Sequence, residues 1–185
     1  MAHAFPACLD VVIASPVGLD PADRAGAFWQ CAVDQAEQTS TMSSSSYRGA
    51  TLLDTGPLVA WFDRSDQDHG ICAAFFQKHN GAFVSTWPVL TEVCHLIPAE
   101  VAPRFLAWVS LGGLNVAELS GSALELMAGW MRQYGDLPMD LADASLLWVA
   151  QEHGLRRIAT LDRRDFGIYR PVSYTHLRAH ETDSY

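Results

Sequence analysis

The chain has 185 residues, enough to bury one core of ordinary size and too few for two. Hydrophobic residues make up 49% of it, yet no window reaches the roughly 18 uncharged apolar residues of a membrane span. A formal charge of −9 argues against passive attraction to nucleic acid or anionic lipid, unless divalent cations reverse the sign locally.

Residues 1–48 read poorly as structure and are expected to form an extension and linker. Pro6, Pro16 and Pro21 interrupt its first half, 28–38 could make one short helix, and 39–46 is a Ser/Thr run of linker type. The start lacks a basic n-region and contains Asp10, so no secretory signal is expected, and Met42 is a candidate natural start. Cys8, Cys31, Cys72 and Cys94 show no CxxC pairing, which predicts reduced, mostly buried thiols in a cytoplasmic protein.

From Ala50 the pattern sharpens. Residues 50–53 read as a strand that ends on Asp54, and 57–62 as a helix with Pro57 at its start, where a missing N–H costs nothing. A second helix is expected over 68–79, closed by Asn80-Gly81, and a second strand over 82–85. Thr86 should cap the next helix, which carries Pro88 in its first turn and Glu92 among Leu90, Val93 and Leu96. An apolar helix over 103–111 ends at Gly112-Gly113. A strand over 114–119 and a helix over 120–134 follow. Asp140 or its predecessor opens a helix closed by Gly154, and a strand over 158–161 delivers Asp162. Strands separated by helices of this length imply right-handed crossovers and a parallel sheet.

Such a sheet carries Asp54 and Asp162 to one edge, where ligands of open α/β folds gather. Asp140 and Asp143, three apart on a helix, can face one target, and Glu92 sits among apolar neighbours that favour a groove-facing carboxylate. These five acids match the whole excess of acid over base in residues 49–171. Acids so gathered repel one another unless protons or cations compensate, and hard oxygen ligands select Mg²⁺ or Mn²⁺. The chemistry suited to such a site is phosphodiester hydrolysis, the acids holding metal rather than acting as bases.

Leu52-Leu53-Asp54-Thr55-Gly56-Pro57, Thr91-Glu92-Val93, Met139-Asp140-Leu141-Ala142-Asp143 and Ala159-Thr160-Leu161-Asp162, in that order and spacing, resemble the PIN-domain family, above all its VapC-type toxin ribonucleases. The resemblance covers about residues 50–170, within a nuclease domain expected over 49–171. It implies a three-layer α/β/α fold around a parallel sheet of four to five strands, a Mg²⁺ site and endonucleolytic cleavage of RNA. Asp54, Glu92, Asp143 and Asp162 match the family's acidic quartet, Thr160 its small hydroxyl residue, and Asp140 and Asp165 its accessory acids. A cognate antitoxin and a homodimer are implied as partners. Residues 172–185 resemble a translated sequencing adapter and are set aside, which also disqualifies His176 and His180 as ligands.

Plainer readings stand beside these. Asp54 alone could be a turn former, Asp140 an N-cap, and Asp165 a cap before Phe166. His95 could approach the site but is better read as a buried or helix-end imidazole. Arg163 and Arg164 could contact substrate phosphates or simply be surface arginines. Trp61, Trp87, Trp108, Trp130 and Trp148 read as residues of core and dimer packing rather than base-stacking ones. Two other functions compete: a non-catalytic module that only grips RNA or antitoxin, and a phosphatase using Asp54 as a nucleophile. The phosphatase wants a second Asp two residues on, where Gly56 stands.

Overall fold

In the computed structural model, the described residues are 10–12, 47–134 and 139–161. Five short strands form one wholly parallel sheet: β1 (Asp10–Val12), β2 (Thr51–Leu53), β3 (Phe83–Thr86), β4 (Asn115–Ala117) and β5 (Arg157–Ala159), in the order β1-β5-β2-β3-β4. Among the described residues six α-helices connect them: α1 (Thr55–Phe62), α2 (His69–Lys78), α3 (Trp87–Leu96), α4 (Ala102–Trp108), α5 (Gly121–Gln133) and α6 (Leu141–His153). From β2 the chain steps outward through β3 to β4, then returns to β5 on the other side of β2. Right-handed crossovers in opposite directions put helices on both faces, giving the expected α/β/α layering. The reversal also leaves a crevice at the carboxyl ends of β2 and β5.

The strands contain the residues that parallel sheets need. Leu52, Leu53, Val84 and Ile158 are fully buried, as befits strands covered on both faces. One side of the core is aromatic: Trp61 stacks on Phe76 at 3.9 Å between ring centroids and meets Trp108 edge-on at 5.0 Å. Cys72 is buried and Cys94 half-buried, both as free thiols, and burial pushes Cys72 up to about 12, out of reach of thiolate chemistry. Cys8 and Cys31 lie outside the described residues.

Several elements differ from the sequence expectation. The stretch 1–48 contributes β1, which pairs with β5 from Asp10 opposite Arg157 to Val12 opposite Ala159. A β-branched pair, Val11-Val12, is the local reason such a strand can form. The helix expected over 103–111 is α4 followed by a wider π-helical turn, Val109–Gly113. Gly112 takes a φ of 93° there, and Gly113 leaves no room for a Cβ against the Trp108 indole nitrogen. Beyond β5 the chain leaves the sheet at Thr160, so the strand expected over 158–161 is shorter at its carboxyl end. Asp162, Arg163, Arg164, Asp165 and residues 172–185 lie outside the described residues. Among the described residues, no helix is long and apolar enough to cross a membrane.

Candidate functional site

β2 ends on Leu53, and Asp54 continues in extended conformation as the N-cap of α1. Each of its carboxylate oxygens is held. Oδ1 accepts the Thr55 backbone N–H at 2.7 Å, and Oδ2 accepts the Thr160 hydroxyl at 2.7 Å. The second bond follows from sheet register. Leu53 lies opposite Ala159, so the next residues on the two strands, Asp54 and Thr160, emerge side by side. Thr160 is only 1% exposed, so its hydroxyl is committed to this contact in a dry setting. Burial pushes Asp54 from 3.8 to about 6, the Thr160 and Thr55 bonds oppose the rise, and the charges of Asp140 and Glu92 add to it.

Glu92 reaches the same place from α3. Its Oε2 accepts the hydroxyl of Thr55 at 2.7 Å, so the residue after Asp54 ties the two acids together from opposite sides. Burial raises the Glu92 pKa, the Thr55 bond resists, and nearby Asp140 raises it further. Asp140 is exposed at the N-cap of α6 and its Oδ1 accepts the Asp143 backbone N–H at 2.9 Å. It is therefore a helix cap, as one reading of it had it, and its charge adds to the rise at Asp54 and Glu92. Asp143 is half-buried in the first turn of α6.

The structure thus brings Asp54, Glu92, Asp140 and Thr160 into one electrostatic neighbourhood, with Asp143 in the first turn of the helix that Asp140 caps. Among the described residues, no three His, Cys, Asp or Glu side chains converge closely enough to share an ion. What the set offers in kind is all-oxygen donors, among which burial and the neighbouring acids raise the pKa values of Asp54 and Glu92. Such donors fit a hard divalent cation, which relieves that repulsion, and suit a soft metal poorly.

Buried hydroxyls were the features least visible in the sequence. Thr86 does occupy the N-cap position of α3, but its hydroxyl makes no cap bond. It lies 2.6 Å from Ser145 Oγ, and Ser145 gives its own proton to the Ala142 carbonyl at 2.7 Å. Thr86 must then be the donor, and the chain of bonds joins the start of α3 to the first turns of α6. Thr55 was likewise not singled out, although a hydroxyl beside a reactive Asp was the available signal. His95 is exposed in the last turn of α3, a helix-end residue and not a buried imidazole. Trp61, Trp108 and Trp130 are buried and Trp148 half-buried, as residues of core packing should be, whereas Trp87 is exposed and stands outside the core. Gly56 packs against Leu161, where an added Cβ would come within 3.3 Å of the Leu161 Cβ. A second carboxylate two residues after Asp54 has no ready room there, which weighs against the phosphatase reading.

Comparison with known proteins places this geometry. A sequence model described as PIN domain matches residues 51–170. Ribonuclease VapC26 of Mycobacterium tuberculosis is 28% identical over 125 residues, spanning 65% of this chain and 93% of that protein. Among solved structures, the crystal structure of Mycobacterium tuberculosis VapC20, described as a sarcin-ricin loop cleaving toxin, superposes with a TM-score of 0.59 at 18% identity. It covers 63% of this chain and 92% of its own, a likeness of fold.

Proposed function

The chain belongs to the PIN-domain family, and from that premise we propose that it is a VapC-type ribonuclease, the toxin of a toxin–antitoxin pair. It hydrolyses RNA phosphodiester bonds with Mg²⁺ or Mn²⁺ held by Asp54, Glu92, Asp143 and Asp162, with Asp140 as an accessory acid. The likeness to Ribonuclease VapC26 supports the class of reaction. The observation that carries the site is the paired grip on Asp54 and Glu92 by Thr160 and Thr55.

Each residue has a derivable task. Thr160 and the Thr55 backbone fix both oxygens of Asp54, so the carboxylate cannot rotate away from the edge. Thr55 Oγ1 aims Glu92. Asp140 holds the first turn of α6, and with it Asp143, in place. With a pKa of about 6, Asp54 gives up its proton near neutrality, and cation uptake should release it. A bound divalent cation supplies Lewis acidity, lowering the pKa of the attacking water and stabilising the leaving oxygen. Arg163 and Arg164 contact the substrate phosphates. A homodimer in the cytoplasm, silenced by its antitoxin, completes the proposal.

The test is RNA cleavage by the purified full chain in Mg²⁺ or Mn²⁺. Cleavage should disappear in excess EDTA and in Asp54→Asn; cleavage that survives either overturns the reading. A non-catalytic RNA- or antitoxin-binding module draws support from one fact, that no three acids converge among the described residues. It would show as RNA binding without cleavage and without Mn²⁺ uptake by calorimetry.

A further inference from the structure

Trp87 departs from the packing role expected of the tryptophans. It is 55% exposed, whereas Trp61, Trp108 and Trp130 are buried. Its place in the fold is fixed by register. Leu52 lies opposite Val84 and the Ser85 hydroxyl donates to the Leu53 carbonyl at 2.8 Å, so Thr86 leaves β3 at the same edge where Asp54 leaves β2. Thr160, Asp54 and Thr86 therefore form one row across the carboxyl edge, and Trp87 is the next residue beyond it.

The backbone at Trp87 is held on both sides. Thr86 is tied to Ser145 at 2.6 Å, the Thr91 hydroxyl donates to the Trp87 carbonyl at 2.9 Å, and Pro88 sits in the first turn of α3. The indole of Trp87 faces water at the carboxyl edge that carries the acids, an aromatic surface open to a flat partner. Leu141, 45% exposed and directly after Asp140, offers a second apolar contact at the start of α6, which packs on α3. The exposed Leu96, Leu106 and Leu111 lie further along the chain from Trp87, at the end of α3, in α4 and in the turn after it.

Charge points to the same partner. Asp54, Glu92 and Asp140 repel a polyanion, and the chain carries −9 overall. Lys78 closes α2 and Arg157 opens β5, which places both at the opposite, amino edge of the sheet. Beyond the phosphate contacts proposed for Arg163, Arg164 and a bound cation, affinity at this edge comes from uncharged contact, and base stacking on an aromatic ring supplies it whatever the sequence.

We propose that Trp87 is the stacking platform for an unpaired nucleobase of the RNA, next to the phosphate held at Asp54. The proposal rests on the ribonuclease reading. Its test uses the full chain in excess EDTA, where cleavage stops, and RNA hexamers either intact or with one abasic ribose moved along the strand. Trp87→Ala should weaken the intact hexamer by roughly five- to one-hundred-fold, and Trp87→Phe should restore most of the loss. One abasic position should weaken the unsubstituted protein by a similar factor and have no further effect on Trp87→Ala. Unsubstituted protein that cleaves RNA while Trp87→Ala binds hexamer normally, or an abasic penalty that adds in full to that of Trp87→Ala, overturns the stacking role alone. Unchanged hexamer binding would reassign the rim to a protein contact. Unsubstituted protein that neither binds nor cleaves RNA overturns both readings. An unaltered unfolding midpoint in Trp87→Ala separates lost stacking from lost folding.

Discussion

Replacing Asp54 by Asn should destroy activity and yet make the metal-free protein more stable. In the folded chain Asp54 titrates at about 6, against 3.8 for an ordinary Asp, because burial and the neighbouring acids disfavour its charge. Between those two values the folded state binds a proton that the unfolded state has released, so stability falls as pH rises through that window. The full rise corresponds to at most about 3 kcal/mol, and about 2 kcal/mol once partial exposure is discounted. In Asp54→Asn the side-chain oxygen would keep the Thr55 N–H, and the new amide could donate to a rotated Thr160 hydroxyl, so little bonding is lost in exchange. Denaturant titrations in EDTA at pH 8 should therefore show Asp54→Asn ahead by about 2 kcal/mol, or about 4–8 °C in midpoint. The gap should close as pH falls from 6 toward 3.8. A variant that is less stable at pH 8, or a gap that ignores pH, would refute the account of why these acids are under strain.

Two further outcomes follow from single contacts. Thr55→Val removes the hydroxyl on Glu92 while preserving shape, and should weaken Mn²⁺ binding in calorimetry by about tenfold, the worth of a bond to a charged group. Thr55→Ser should recover it, and equal affinity in all three proteins would contradict the positioning role. Gly154→Ala places a side chain at a φ of 64° where nothing stands within 4 Å, so the cost is backbone strain alone. It should lower stability by about 1 kcal/mol in thermal unfolding and leave RNA cleavage unchanged.

What the sequence disclosed, it disclosed through backbone constraints. Leu52 and Leu53 before Asp54, Pro57 after it, and the Asp140 to Gly154 span all read correctly because apolar runs, caps and breakers are local properties. Asp54 and Asp140 could be named as site residues since a parallel sheet and a helix start leave them few other places to go. Of their hydroxyl partners, only Thr160 was named, through the resemblance. Thr86 looked like a helix cap, and only the packing of α6 on α3 revealed Ser145 as its acceptor, 59 residues away. Trp87 was assigned to packing because an aromatic residue at a helix start carries no mark of which side will face water. β1 escaped notice since three residues give no periodicity.

The bonds from Thr55, Thr86, Thr160 and Ser145 have one property in common: every donor is an alcohol. Alcohols neither gain nor lose charge across the biological pH range, nor are they screened by salt as ion pairs are. The chain from Thr86 through Ser145 to the Ala142 carbonyl has no ionisable acceptor either, so the brace between α3 and α6 is indifferent to the conditions that switch the acids themselves. Ions can arrive, depart or be exchanged for protons while the mount stays still, so a cation should meet nearly the same arrangement of backbone on each visit. Turnover would then need little remodelling of the protein between one strand of RNA and the next.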